Sequence, residues 1–163
     1  MEGRPHRDRL LNDLEQIRKQ LIGEVQRMKP EELDWAPRPD MKSCRALLME
    51  IATMEKGRMH WLSDREILDW KEIENSLAWP DKEPQSALNA LERVRADTLA
   101  YLKHRTEAEL ESAISVPEEW QRHLGATIEP EEIVRRVARH EYYHLGQLIT
   151  YRWILGDNPY KRK

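Results

Sequence analysis

Apolar residues recur every three or four positions in four stretches of the chain, which is the spacing of an amphipathic helix. Between these stretches proline marks places where a helix cannot continue, as at Pro30 and in the segment Trp35–Pro39. No stretch shows a convincing period of two, the pattern of a half-buried strand. The predicted helices begin at about His6, after the N-cap Ser43, near Pro84 and at Pro130, and their apolar stripes end near Met28, Leu62, Leu102 and Leu155.

The links between the predicted helices indicate the fold class. Two of them, at about 63–83 and 107–129, are long and contain tryptophan and proline, so we expect them to pack on the helices and to include short helical turns. Four amphipathic helices with at least one long crossover are typical of a four-helix bundle. The 163 residues are enough to bury one continuous core, which predicts a single all-α domain over residues 1–163.

A pair of histidines lies within the apolar stripe of the last predicted helix. His140 and His144 are four residues apart, so both rings lie on one face of the helix, separated by a rise of about 6 Å. Their neighbours along the stripe, Val137, Leu148 and Tyr151, are predicted to face the core. Buried neutral imidazoles need partners for their nitrogens, and a divalent ion supplies one to each ring. The pattern favours a metal site, and packed or water-bonded histidines are the alternative.

The same five residues spell His-Glu-x-x-His, the signature of zinc metalloproteases, in which Glu141 would be the general base. The extended form of that signature needs glycine at 147 and histidine at 150, whereas the chain has Gln147 and Thr150. The residues that follow His144 include neither glutamate nor histidine, and no predicted sheet is available to hold a substrate peptide. The sequence therefore argues against a protease.

A third metal ligand must come from another helix. On the second helix, Glu50 lies in a stripe with Leu47, Met54 and Trp61, which predicts an inward-facing carboxylate. An inward carboxylate needs a cation or a metal, and the alternative is a boundary glutamate whose head reaches solvent. His60 lies about 80° further around the same helix and is a weaker candidate.

Charge and composition exclude several classes of function. Acidic residues outnumber Lys and Arg by 30 to 27 and the net charge is −3, so the chain lacks the basic excess of a nucleic-acid-binding protein. We assign the basic cluster of Arg135, Arg136 and Arg139 to an exposed helix face. No uncharged apolar run approaches the ~20 residues of a membrane span, and the charged N-terminus lacks the apolar core of a signal peptide. We therefore expect neither a nucleic-acid partner nor a membrane partner.

The cysteine content points to a cellular compartment. Cys44 is the only cysteine, so the chain has no internal disulfide. This fits a reducing compartment, and we predict a cytoplasmic protein. At the start of the second helix, next to Ser43, Cys44 is expected to be a buried apolar residue rather than a nucleophile.

Two segments of the chain resemble the motifs of a known family. Arg139–Leu148 resembles the last-helix motif of the DinB/YfiT-like superfamily of metal-dependent four-helix-bundle proteins, His-x3-His followed by Gly-Gln. Ser43–Ala52 resembles its second-helix motif, and Glu31–Trp35 and Gly156–Pro159 fit the same layout. The resemblance spans nearly the whole chain, and the last-helix motif is its most specific part.

The resemblance implies a divalent metal held by three side chains. Family members usually bind zinc or nickel through three histidines, two of which match His140 and His144, whereas the first falls where this chain has Glu50. A set of two histidines and one carboxylate can also hold iron(II) or manganese. Either Glu50 completes the site, or the loss of the first imidazole has weakened or abolished it. We favour a retained site, because both last-helix histidines are present.

The resemblance also implies a function. Relatives include enzymes that use low-molecular-weight thiols, so we expect a divalent-metal-dependent enzyme that acts on a small molecule by hydrolysis or by thiol transfer. Tyr143, Gln147 and Tyr151 are candidate hydrogen-bonding partners around the ligands, and no catalytic residue is assigned. The alternative is a non-catalytic helical module, related to stress or to dimerisation, whose metal site is weakened or lost. A homodimer is expected under both hypotheses.

Overall fold

The computed structural model describes residues 5–162, and four long helices in this range form a bundle. Short helices, one 3-10 turn and two very short strands fill the links between them. The elements are α1 (His6–Gln26), a 3-10 turn (Pro30–Glu32), α2 (Cys44–Asp64), α3 (Trp70–Leu77), α4 (Pro84–Lys103), α5 (Glu107–Glu111), β1 (Ile114–Ser115), α6 (Glu118–Leu124), β2 (Thr127–Ile128) and α7 (Pro130–Ile154).

The long helices begin where local chemistry predicts. The side-chain oxygen of Ser43 accepts a hydrogen bond from the backbone nitrogen of Ala46 over 3.2 Å and caps α2. Pro84 and Pro130 occupy the first turns of α4 and α7, where the missing N–H of proline has no cost. The sequence placed Leu155 in the last helix, but α7 ends at Ile154 and Leu155 is partly exposed at its C-cap.

The helices are arranged so that α1 and α2 lie diagonally across the bundle. Each of these two helices contacts α4 and α7. The predicted four-helix bundle is therefore confirmed, and the predicted short helical turns are α3 in the first long link and α5 and α6 in the second. Within the described residues, no helix combines the length and the apolar content that a bilayer crossing requires.

A small antiparallel pairing in the second long link was not predicted. Ile114 pairs with Ile128, and Ser115 pairs with Thr127. The sequence shows no convincing period of two here, because two residues per strand are too few to produce one.

The core consists of two apolar clusters along the bundle axis. One contains Leu21 of α1 and Leu48 of α2, and the other contains Leu14 of α1 and Leu62 of α2. On each long helix, the residues of the two clusters are seven positions apart at their nearest, which is about two turns. The interval between them carries a charged residue that is buried instead of exposed.

A layer of four buried charges separates the two clusters, and each long helix contributes one of them. Arg18 Nε lies 2.7 Å from Glu141 Oε1, and Arg95 Nε lies 2.7 Å from Glu55 Oε1. Arg18 also contacts Glu55 at 3.0 Å, Arg95 also pairs with Glu141, and Thr98 donates to Glu55 over 2.6 Å. We call Arg18, Glu55, Arg95 and Glu141 the ion layer. Since each guanidinium meets both carboxylates, no charge in this layer lacks a partner.

Candidate metal centre

The groove between α2 and α7 brings together the three residues that the sequence indicated as metal ligands. Glu50 lies on α2, and His140 and His144 lie on α7. One donor atom of each lies within 4.8 Å of the other two. Because residues four apart share a helical face, the two imidazoles line the groove one above the other. Within residues 5–162, no other set of three or more His, Cys, Asp or Glu donors converges in this way.

Gln147 fixes the orientation of the His144 ring. Its Oε1 atom lies 2.6 Å from His144 Nδ1, and a carboxamide oxygen only accepts hydrogen bonds, so Nδ1 carries the proton. The amide nitrogen of Gln147 donates to the Tyr143 hydroxyl over 3.4 Å. A neutral imidazole protonated at Nδ1 has its free electron pair on Nε2, the atom that faces His140 and Glu50. Metal-binding histidines are oriented by outer partners in the same way.

His140 is neutral at physiological pH. Burial lowers its pKa, and the adjacent His144 ring adds to this effect, to a value of about 4. The Glu50 carboxylate raises the pKa of His140, but by less than burial and the His144 ring lower it. An uncharged imidazole has an electron pair to give to a cation, which is the form that metal binding requires.

Glu50 lies at the mouth of the groove, where its side chain is 25% exposed. Its Oε2 atom lies 3.8 Å from His144 Nε2 and forms an ion pair with Lys42. Lys42 therefore supplies the cation that an inward carboxylate needs. Because the Lys42 side chain is 58% exposed, it can move into solvent at little cost when another cation takes its place. Lys42 was not predicted, because it precedes α2 and has no helical register from which its position could be inferred.

The spacing of the donors fits a divalent ion. The Nε2 atoms of His140 and His144 are 3.0 Å apart, so His140 Nε2–H donates to the free electron pair of His144 Nε2, and a bound metal ion would replace that proton. Two nitrogens bound to one tetrahedral ion, each at ~2.0–2.1 Å, are separated by about 3.3 Å. Only a small movement of the rings separates the two geometries. With Glu50, the groove therefore offers two imidazoles and one carboxylate to a divalent metal.

Glu141 lies next to His140 in sequence but belongs to a different part of the molecule. One residue along a helix turns the side chain by about 100°, which carries Glu141 out of the groove and into the ion layer. There it is 1% exposed and paired with both Arg18 and Arg95. A carboxylate held in this way is not available as a general base, which supports the prediction that the chain is not a His-Glu-x-x-His protease.

The other residues that the sequence singled out lie outside the cluster. His60 faces Asp64, with Nδ1 3.1 Å from the carboxylate. Cys44 is fully buried, and burial raises the pKa of its thiol to about 11, which fits the predicted apolar role. Tyr151 donates to the backbone carbonyl of Lys42 over 3.2 Å and therefore contacts the segment that carries the partner of Glu50.

The ion layer was also missed, although the sequence contains a signal for it. Arg18 follows Leu14 by four residues and precedes Leu21 by three, so a charged residue occupies a position in an apolar stripe. Glu55, Arg95 and Glu141 occupy equivalent positions in α2, α4 and α7. One such residue is unremarkable, because a long side chain can reach solvent. Two basic and two acidic residues, one in each of four helices, indicate a buried network.

Comparison with known proteins places this bundle in a family. The family model of the DinB superfamily matches residues 13–148. The chain belongs to the DinB superfamily. The matched range contains the candidate metal centre and all four members of the ion layer. The resemblance that the sequence motifs indicated is thereby confirmed, whereas no curated protein matches the chain.

Two solved structures share the fold of this DinB-superfamily protein. YfiT from Bacillus subtilis, described as a probable metal-dependent hydrolase with an unusual four-helix bundle topology, aligns with a TM-score of 0.70 at 16% identity, covering 96% of this chain and 91% of YfiT. A conserved protein from Enterococcus faecalis aligns with a TM-score of 0.68 at 18% identity, covering 92% of this chain and 97% of that protein. At these identities the likeness is one of fold, and it supports the four-helix bundle.

Proposed function

We propose that this DinB-superfamily protein is a divalent-metal-dependent enzyme that acts on a small molecule by hydrolysis or by thiol transfer. The convergence of Glu50, His140 and His144 donors within 4.8 Å between α2 and α7 carries the proposal. The orientation of His144 by Gln147 supports it, because outer partners of this kind accompany metal-binding histidines. The description of YfiT, which has the same fold, as a probable metal-dependent hydrolase agrees with it.

The residues of the groove suit this chemistry. Three protein ligands leave a coordination position open, as in catalytic rather than structural metal sites. A divalent cation, when bound, lowers the pKa of water to ~7 or stabilises a thiolate, which serves hydrolysis and thiol transfer respectively. His140 and His144 contribute neutral donors and Glu50 contributes one negative charge, so a bound dication would keep a net positive charge. We favour zinc or nickel, with iron(II) and manganese as alternatives, and we propose a low-molecular-weight thiol as a candidate cosubstrate.

A panel of reactions on metal-loaded protein tests the proposed function. Protein made without an affinity tag would be loaded separately with zinc, nickel, manganese or iron(II). It would then be assayed with ester and amide substrates and with a low-molecular-weight thiol plus an activated electrophile. We expect turnover that depends on the metal, is lost in His144→Ala and is kept in His104→Ala, which removes an exposed histidine elsewhere. An ion bound without any turnover would contradict the enzymatic proposal.

A second candidate function is a non-catalytic module that dimerises in the cytoplasm. Trp153 and Ile154, at the end of α7, are exposed apolar residues of the kind found in interfaces. The ion pair between Lys42 and Glu50 also gives the carboxylate a partner without any metal. This candidate predicts self-association that survives replacement of Glu50, His140 and His144 by alanine. Sedimentation of this triple variant tests the second candidate, because loss of self-association in the variant would contradict it.

A further inference from the structure

Two arginines lie beyond the candidate metal centre on the same two helices. Arg58 lies eight residues after Glu50 on α2, and Arg136 lies four residues before His140 on α7. Arg136 is one step of four from His140 and shares its helical face, whereas Arg58 is turned by about 80° from Glu50. By helical rise the two arginines lie about 6 and 12 Å from these ligands. Together with Arg139 they line an open pocket of ≈ 440 Å³.

Arg58 has no acidic partner among the described residues. Its guanidinium stacks on the Trp120 ring, 4.0 Å from the centroid. Its Nη1 atom is buried and has no hydrogen-bond partner within residues 5–162. Burial lowers the pKa of Arg58, and the positive charge of Arg136 lowers it further. A buried donor without a partner is unfavourable, and an added oxyanion would satisfy it.

The pocket as a whole has an excess of positive charge. Arg136 donates to the Glu132 carboxylate over 3.2 Å, and Arg139 pairs with the same carboxylate. Among residues 5–162, Glu132 is the one acidic residue that lines the pocket, so a single carboxylate there faces three guanidinium groups. The two surface arginines share it, and Arg58 is left unmatched. The pocket is therefore electrostatically complementary to an anion.

We propose that Arg58 and Arg136 form an oxyanion-binding subsite, which holds a carboxylate or phosphate group of the substrate while the reacting part lies at the Glu50–His140–His144 centre. The arginine fork is suited to both anions, since each presents two oxygens to paired N–H donors. The substrate class is then a small anionic molecule whose acid group lies about 6–12 Å from its reacting atom. The placement of the reacting part of the substrate at the metal centre rests on the proposed function, whereas anion binding needs only the arginines.

Anion binding is tested first on metal-free protein. Inorganic phosphate and acetate would be titrated separately into isotope-labelled protein while the arginine Nε–H resonances are followed by NMR. Resonances are assigned by their absence in Arg58→Met and Arg136→Met, with exposed Arg93→Met as the matched control. We expect the Arg58 and Arg136 resonances to shift together and to saturate with at least one of the anions, while Arg93 does not move. Shifts of equal size at all three arginines, or none, would overturn the subsite.

A chain-length series then tests whether the subsite serves the metal centre. Cobalt-loaded protein would be titrated with thiol carboxylates of increasing length, each matched by the thiol alcohol of the same length, and thiolate binding would be read from the charge-transfer absorption. We expect the carboxylate to bind about tenfold more tightly than its alcohol once its span reaches ~6–12 Å.

The arginine variants and the cobalt titration distinguish the anion subsite from the proposed metal-dependent function. Arg136→Met changes a partly exposed side chain and should remove the carboxylate preference without affecting the fold, even if Arg58→Met is unstable. Carboxylates and alcohols that bind equally at every length would contradict the coupling of the subsite to the metal centre. If cobalt does not bind at all, the proposed function fails, whereas the NMR titration still decides the anion subsite.

Discussion

The ion layer and the groove both combine carboxylates with nitrogen-containing side chains, but they differ in how these groups are paired. In the ion layer, Arg18 and Arg95 match Glu55 and Glu141 inside the protein, so every charge has its partner. In the groove, two imidazoles and one carboxylate converge on one another, and the carboxylate pairs with the exposed Lys42. The first arrangement needs nothing further, whereas the second presents three donors that a cation could share.

The difference shows which buried polar groups stabilise the fold and which are available for binding. Both regions use α2 and α7, and the adjacent residues His140 and Glu141 belong to different ones. A charge that is matched within the core holds the helices in one arrangement. Donors that face one another across an accessible groove are available to a ligand. Substitutions in the two regions should therefore affect different properties.

The largest effect is expected in the ion layer. Glu141→Ala leaves Arg18 and Arg95 buried without one of their partners, and should lower the free energy of unfolding by about 3–5 kcal/mol. Urea denaturation measures this, with the exposed Glu15→Ala as a control that should change stability by less than ~0.5 kcal/mol. A loss for Glu141→Ala no larger than that of the control would show that the ion layer does not hold the bundle together.

The ion layer also predicts how stability depends on pH. Burial alone raises the pKa of Glu55, but the charges and hydrogen bonds of Arg95, Arg18 and Thr98 outweigh it and hold the pKa below its ordinary value of 4.5. Glu55 therefore contributes stability that is fully present above pH 4.5 and is lost as the pH falls below it. Urea denaturation at a series of acidic pH values should show this loss. Stability that is independent of pH in that range would contradict the assignment.

In the groove, the largest effect should be on metal binding. His144→Ala removes one of three ligands and should weaken zinc binding by roughly 100-fold or more, with little change in melting temperature without metal. Calorimetric titration measures the affinity, and His104→Ala, at an exposed histidine outside the cluster, is the matched control. Equal affinities of the two variants would place the ion elsewhere.

A smaller effect is expected at Gln147. Gln147→Ala leaves all three ligands in place but frees the His144 ring to rotate, which should weaken zinc binding by about tenfold. Competition with a chromophoric chelator is sensitive enough to measure this difference. Unchanged affinity would mean that the ring is oriented by packing alone.

The smallest effect, and one of opposite sign, is expected at Lys42. Lys42→Gln removes the positive charge that competes with a metal for Glu50, and should tighten zinc binding by about two- to fivefold. The same chelator competition measures it, with Lys19→Gln on the exposed face of α1 as the control. Weaker binding in Lys42→Gln would indicate that the lysine supports the site instead of competing with the metal.

The bundle could be predicted from sequence because its helices are long, strongly periodic and separated by proline. The histidine pair could be predicted because a helix converts four-residue spacing into proximity, and Glu50 because it shares a stripe with core residues. The pairing of Lys42 with Glu50 could not be predicted, because Lys42 lies in a loop whose path depends on the whole fold. The pairing of Arg18 with Glu141 also could not, because it depends on how the four helices are arranged around the axis.

The most direct test of the central claim is the metal content of the purified protein. Protein made without an affinity tag would be dialysed to equilibrium against zinc or nickel and then analysed for bound metal, alongside His144→Ala. We expect about one ion per chain in the unmodified protein and almost none in the variant. Protein that neither carries nor takes up any metal would contradict it.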